Sequence, residues 1–383
     1  MPEAVIVDVV RTPIGRAFKG SFINERAEDL GAFAVKTLME RNPEVDGKEV
    51  QDLMLGCAFG EGEQGYNAAR QVGLLSGLPV DVGATTVNRF CASSLQTIRM
   101  AFHAIKAGEG DTYVAAGLEA VSRAAGGGNF AFHPKLHGEG ALFDAYIPMG
   151  NTAENVADEY GVTREQMDEY AKRSQDLAVE SQENGFFARE ITPYTREDGT
   201  VVEKDDGPRA GTTLEKLATL PTAFREEGGR VTAGNSCPLN DGAAAALVLS
   251  EDRAKELGLK PRARIIASSV SGLAPEMMGV GPIEAIKRVL DLAGMTIDDI
   301  DIVELNEAFA AQVIPIMDAH NIPLEKLNPH GGAIALGHPF GMTGARIMAT
   351  LLNGLETDDK TIGLETMCVG GGQGMAMIVE RLN

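Results

Sequence analysis

"VNRFCASS" (87–94) and "GHPFGMTG" (337–344) lie 250 positions apart, and the same displacement relates two further pairs of segments. "VQDLMLGCAFG" (50–60) falls on "IDIVELNEAFA" (300–310), with Phe59 on Phe309. "DTYVAAGLEA" (111–120) meets "KTIGLETMCV" (360–369), within one position of the same displacement. One such match carries little, but three at a constant offset mark an internal duplication. Within the first pair, Asn88 stands opposite His338 and Cys91 opposite Gly341. The offset then breaks. "DGAAAALVLSE" (241–251) resembles "QGMAMIVERLN" (373–383) at a shift of 132, with Gly242 on Gly374. The difference of 118 residues is extra sequence in the first half, between about Glu119 and Asn240. The chain therefore divides into a first half (1–118 with 241–260), an insert (119–240) and a second half (261–383).

Both halves alternate strand-like and helical patterns. Apolar, β-branched runs at 4–10, 112–116, 246–250, 263–270 and 301–305 predict strands. In "CASSLQTIRMAFHAIKAG" (91–108), Leu95, Ile98, Phe102 and Ile105 form one apolar stripe, and Gly108 supplies a stop. This alternation predicts an α/β architecture with helices on mixed sheets. The insert is glycine-rich at 126–128, carries an amphipathic helical pattern over 163–185 and continues into a charged stretch. It reads as a loop-rich cap over the duplicated core.

A chain of 383 residues with 44% hydrophobic and 23% charged content has ample material for a core spread over more than one unit. A net charge of −21 without any Lys/Arg-rich run excludes a general nucleic-acid surface. No apolar run approaches the roughly 18 residues of a membrane span. "MPEAVIVDVVRTPIG" has neither the basic start nor the apolar core of a signal peptide. Four cysteines, at 57, 91, 237 and 368, are too few and too scattered for a disulfide framework, so a reduced, cytoplasmic protein is expected.

Cys91 opens the 91–108 helix, where unpaired N–H groups and the helix dipole favour thiolate; the alternative is a structural cysteine. His338 occupies the matched turn of the other half. If the halves pack about a pseudo-twofold axis, the two turns face one cleft. Gly337, Gly341 and Gly344 then allow tight turning or close approach to a ligand. Cys368 leaves a strand into "VGGGQG", which predicts an exposed thiol near free amides; the alternative is a small buried hydrophobe. No Gly-Lys-Ser/Thr follows, which excludes a Walker loop. Asn306 in "ELNEAFAAQ" is a strand-end polar residue, either a helix cap or a site group. Cys57 reads as packed, His103 and His320 have no evident partner, and no metal site is legible.

Together, "VNRFCASS", "NEAFA", "GGAIALGHPFGMTGAR" and "CVGGGQGMA" resemble, in order, the signature blocks of the thiolases. "MGNTAEN" (149–155) and "TAGNSCPLNDGAAA" (232–245) resemble further thiolase segments, and the similarity runs from about Ala4 to Leu382. The resemblance implies a duplicated thiolase fold, five-layered α/β/α/β/α with an inserted loop domain. It implies thiolytic cleavage of 3-ketoacyl-CoA, with Cys91 as nucleophile, His338 as its base and Cys368 as the acid–base group at the departing carbon. Asn306, through a water, would join His338 in one oxyanion hole, and the amides of Cys91 and Gly370 would form another. Arg209, Phe224 and Met149 would line the CoA groove, with Ala233, Ala308 and Phe309 nearer its inner end.

By the same resemblance, CoA and acyl-CoA are substrates and no separate cofactor is needed. A homodimer or homotetramer is expected, with fatty-acid β-oxidation enzymes as possible associates. Cys237-Pro238 departs from the Ser-Gly or Ser-Ala found in many members, and His330 receives no catalytic role. Alternatives are an acetoacetyl-CoA thiolase working in the biosynthetic direction, a ketosynthase-like condensing enzyme and a non-catalytic acyl-CoA-binding protein. A ketosynthase normally pairs its cysteine with two histidines, whereas here a second cysteine takes one of those places.

Overall fold

The computed structural model describes residues 2–124 and 131–383; the glycine-rich run at 126–128 lies outside them. The first half runs β1 (Ala4–Arg11), α1 (Ala27–Arg41), β2 (Asp52–Gly56), α2 (Ala68–Leu75), β3 (Gly83–Val87), α3 (Ser93–Ala107) and β4 (Thr112–Ala120). The insert contributes α4 (Met149–Tyr160) and α5 (Arg164–Glu183), after which β5 (Asn240–Ser250) returns to the first half. The second half runs β6 (Ala263–Gly272), α6 (Gly281–Ala293), β7 (Ile302–Leu305), α7 (Ala310–His320), α8 (Thr343–Thr357), β8 (Ile362–Val369) and β9 (Gln373–Arg381).

The strand order is β3-β2-β4-β5-β1 in the first half and β7-β8-β9-β6 in the second. In each half the crossover pair is parallel and the closing pairs antiparallel: β2 with β4 and β7 with β8, then β4–β5–β1 and β8–β9–β6. A short bridge, Val303 to Leu327, stands where β3 lies in the first half. Among the described residues, the two half-sheets pair at Val5–Arg264 and Ile6–Ala263, where β1 touches β6.

Three apolar clusters define five layers. α1 and α2 cover the outer face of the first sheet through Leu30, Val35, Leu38 and Val72. α6 and α7 cover the outer face of the second through Ile286, Val289, Val313 and Ile316. α3 and α8 lie between the sheets, and the stripe Leu95, Ile98, Phe102, Ile105 is buried there against Ile347, Leu351 and Leu355. Burying such a side chain contributes about 1.5–3 kcal/mol relative to exposure. Gly108, at φ 73°, ends α3 as expected. In the insert, Thr163 caps α5 with a capping box completed by Gln166, and Met167, Tyr170 and Ala171 pack against the second half.

The sequence reading gave Gly341 and Gly344 either tight turning or close approach to a ligand. Their neighbours are protein. A Cβ on Gly341 would stand 2.2 Å from Leu118 O, and one on Gly344 would stand 2.2 Å from Leu95 N. These glycines let the His338 segment press onto the first half. Gly337, at φ 117°, does hold a turn, against the Asn240 side chain.

Candidate active site

Cys91 lies not on α3 itself but in the single 3-10 turn Phe90–Ala92 before it; its counterpart in the second half is the 3-10 turn Phe340–Met342 before α8. Phe90 adopts φ 44°, a left-handed conformation that disfavours a bulky side chain. Asn88 Oδ1 accepts from Phe90 N (2.8 Å), and Ser93 Oγ accepts from Arg89 N while donating to Phe90 O, which fixes the strained turn. The Phe90 ring packs over Gly370, where a Cβ would sit 3.1 Å from it. The backbone amides of Gly370 and of Cys91 itself favour the Cys91 thiolate.

Burial, however, outweighs these amides. Cys91 is buried, and desolvation, reinforced by the neighbouring Cys368 and Cys237, holds its thiol well above the ordinary value. The sequence reading expected a stabilised thiolate; the free site holds a neutral thiol that needs a base. Cys368 was expected to be exposed and is fully buried, because β8 and β9 remain paired through Cys368–Gly374 before the glycine turn. Burial pushes its thiol up to about 11, and a hydrogen bond from Gln312 opposes that shift. Cys237, half-buried, is also raised by burial. Cys57 is buried as expected, beside Glu119.

His338 is buried and poised as an acceptor. Thr343 Oγ1 donates to Pro339 O (2.7 Å), so it accepts from His338 Nδ1–H at 2.6 Å. That assignment leaves a lone pair on Nε2, towards which Asn306 Nδ2 donates at 3.3 Å. Burial, aided by the Arg346 guanidinium, lowers His338 to about 3, so the ring is neutral. Its backbone N–H donates to Asn240 Oδ1 (2.9 Å). Among the described residues, Cys91 and His338 share no hydrogen bond. Glu119 ties the His338-side turn to the segment after β2: its carboxylate accepts from Ala58 N, Phe59 N and Gly341 N (2.9, 3.2 and 2.9 Å). Beside Asn306, Glu307 accepts from Tyr170, Ser174, Asn328 and Ile334 N, which locks the strand end onto the insert.

A cleft of about 270 Å³ opens nearby, walled by Arg209, Lys216, Ala233, Gly234, Pro238 and Ile334 among others. Arg209 and Ala233 thus share one cavity. Met149, Phe224, Ala308 and Phe309 are not among its walls. They belong to an adjoining apolar cluster in which Phe224 meets Phe309 edge-on and covers Gly150. Cys237 N–H donates to Ala308 O (3.0 Å) and joins cluster to cleft through Pro238. His330 stacks on Phe186 at 3.7 Å and bonds Asp358, away from these groups. Among the described residues, no cluster of three metal-ligating side chains occurs, and no helix is long and apolar enough to cross a membrane.

Sequence reasoning missed Thr343, Asn240, Glu119 and Gln312. Thr343 is five residues from His338, and Gln312 six from Asn306, so local windows held those two. The hydrogen bonds of the Glu119 carboxylate span 55 to 222 positions and leave no local signal.

The thiolase N-terminal domain family matches residues 4–252 and the thiolase C-terminal domain family residues 259–381. The chain is 46% identical to a 3-ketoacyl-CoA thiolase of Idiomarina loihiensis and 44% identical to a beta-ketoadipyl-CoA thiolase of Acinetobacter baylyi, each comparison covering 100% of both chains. The crystal structure of the Bacillus anthracis acetyl-CoA acetyltransferase superposes with a TM-score of 0.91 at 38% identity, over 100% of this chain and 99% of that one. With its duplicated five-layered core, this chain belongs to the thiolase family and is an acyltransferase.

Proposed function

We propose that the protein cleaves 3-ketoacyl-CoA with CoA, giving acetyl-CoA and an acyl-CoA shortened by two carbons, through an acyl-Cys91 thioester. The observation that carries this reading is the pairing of two centres. Cys91, Cys368 and the Gly370 amide form one, and a neutral His338, whose unprotonated Nε2 faces Asn306 Nδ2 at 3.3 Å, forms the other.

On binding, the side chains close so that His338 Nε2 takes the Cys91 proton; catalytic hydrogen bonds in free enzymes are often loose and tighten with substrate. The thiolate adds to the keto carbon, and the bond between C2 and C3 breaks. Cys368 gives its proton to C2, releasing acetyl-CoA, and the acyl group stays on Cys91 sulfur. A CoA thiol then attacks that thioester, losing its proton to the enzyme and restoring the Cys91 thiolate. The amides of Cys91 and Gly370 stabilise the thioester oxyanion, and His338 with an Asn306-held water stabilises the other; each such donor is worth about 2.7–4 kcal/mol.

Arg209 takes the anionic end of CoA, and Met149, Phe224, Ala233, Ala308 and Phe309 line the path inward. No cofactor beyond CoA enters this scheme. The assignment extends to a cytoplasmic homodimer or homotetramer with partners in β-oxidation, and to an insert spanning 119–240. The test is CoA-dependent cleavage of short, medium and long 3-ketoacyl-CoAs. Cleavage across medium and long chains supports a β-oxidation enzyme, and cleavage of acetoacetyl-CoA alone selects the biosynthetic alternative. No cleavage of any chain by folded protein overturns the assignment.

A further inference from the structure

Gln312 stands in the first turn of α7, fully buried, with its Nε2 3.0 Å from Cys368 Sγ. The rest of its amide has no comparable anchor. Its Oε1 is buried without a partner among protein atoms. Gly279 packs directly against it: a Cβ there would stand 3.0 Å from Gln312 Cβ and 3.1 Å from Oε1. A buried amide that leaves one polar atom unpaired while aiming the other at a thiol is costly as mere packing. A Leu or Met would fill the same volume without that penalty.

We propose that Gln312 is a positioning residue for the Cys368 thiol, its side-chain amide orienting and polarising Sγ for proton transfer at the substrate carbon. The proposal rests on the assignment of Cys368 as the acid–base thiol. The N–H donor favours the thiolate and fixes where its lone pairs point. Two other thiols neighbour Cys368: Cys91, from the turn before α3, and Cys237, from the segment before β5, each itself raised by burial. Glu307, which acts on Cys237, is engaged by Tyr170, Ser174 and Asn328. Gln312 is the one side chain recorded as donating a hydrogen bond to Cys368 among the described residues. Its hydrogen bond also counters the burial that raises this thiol.

The test measures thiolate fraction directly, without turnover. In a Cys91→Ser background, iodoacetamide alkylation of Cys368 and of Cys237 is followed from pH 6 to 9 by mass mapping of their peptides. Gln312→Met keeps the volume and removes the donor. The expected result is a Cys368 rate lower by tenfold or more at every pH, with Cys237 within twofold of the parent. Gln312→Glu, which adds a charge when ionised, lowers the rate further as pH rises. Gly279→Ala displaces Gln312 without altering it and gives a several-fold loss, which keeps the proposal testable if Gln312→Met folds poorly. Unchanged Cys368 labelling in Gln312→Met overturns the proposal, and so does a parallel fall at Cys237, the mark of general loosening. A parent whose Cys368 never reacts while Cys237 does also overturns it. Failure of the thiolase assignment itself is read separately, as absence of cleavage by the wild-type protein.

Discussion

Replacing Thr343 by valine removes one hydroxyl and almost no volume, yet it strikes the group that sets the tautomer of His338. Thr343 Oγ1 is committed as a donor to Pro339 O, so its acceptor capacity faces His338 Nδ1–H at 2.6 Å. His338 is only 1% exposed, and water does not replace the lost partner. Either Nδ1–H stays unpaired, at a cost of about 1–3 kcal/mol, or the proton moves to Nε2 and occupies the lone pair that must receive the Cys91 proton. In both cases the competent form becomes scarcer by about 5- to 150-fold, since about 1.4 kcal/mol corresponds to tenfold. The assay is thiolysis of acetoacetyl-CoA, or of the preferred longer substrate, followed by loss of the 3-ketoacyl-CoA absorbance. Thr343→Val should lower kcat by that factor with KM for CoA nearly unchanged, and Thr343→Ser should restore most of the rate. A Thr343→Val enzyme within twofold of wild type would refute the assigned tautomer, as would a serine variant no better than valine.

Two other perturbations probe the frame around the site. Gly341→Ala places a Cβ against the backbone atoms Leu118 O, Gly56 O and Cys57 Cα at 2.2, 2.8 and 2.9 Å. A loss of about 3 kcal/mol is expected, read as a lower denaturant midpoint at unchanged m; an unchanged midpoint contradicts the close approach. Glu304, on β7 opposite Glu365 of β8, is held protonated by burial, with its carboxyl raised to about 8 despite Arg346. The folded state therefore binds more protons than the unfolded chain between the ordinary value near 4.5 and about 8. Stability from this group is full below that window and is lost as pH rises through it, by up to about 1.4 kcal/mol per unit. Glu304→Gln should flatten the fall in stability between pH 5 and 8; a parallel profile refutes the buried neutral carboxyl.

The duplication was legible because helix-entry turns and strand ends keep residue type where geometry is tight. The pairs 87–94 with 337–344 and 50–60 with 300–310 mark the same corners in both halves. Cys91, His338, Asn306 and Cys368 stand out as polar or thiol residues at the ends of apolar elements. Their ionisation was not legible. A helix-entry position argued for thiolate at Cys91, but the sequence holds no record of how completely the opposite half covers that turn. Desolvation then decided the sign. Cys368 was misjudged for a related reason: the strand pairing continues one residue beyond it, to Val369–Gln373, before the glycines begin to turn. The residues expected along the CoA groove divide between two places. Arg209 and Ala233 line it, while Phe224 and Met149 pack beside it, a distinction set by tertiary contacts of the insert.

The proposed function turns on whether Cys91 carries the acyl group. The direct measurement is peptide mass mapping after incubation with acetyl-CoA and rapid acid quench, in wild type and in Cys368→Ser, which should slow carbon–carbon bond chemistry while sparing acylation. The mass of one acetyl group is expected on the peptide containing Cys91 in both proteins, and none in Cys91→Ala. Acetyl found on Cys368 or Cys237 with Cys91 unmodified, or no covalent adduct in a protein that turns over, would contradict it.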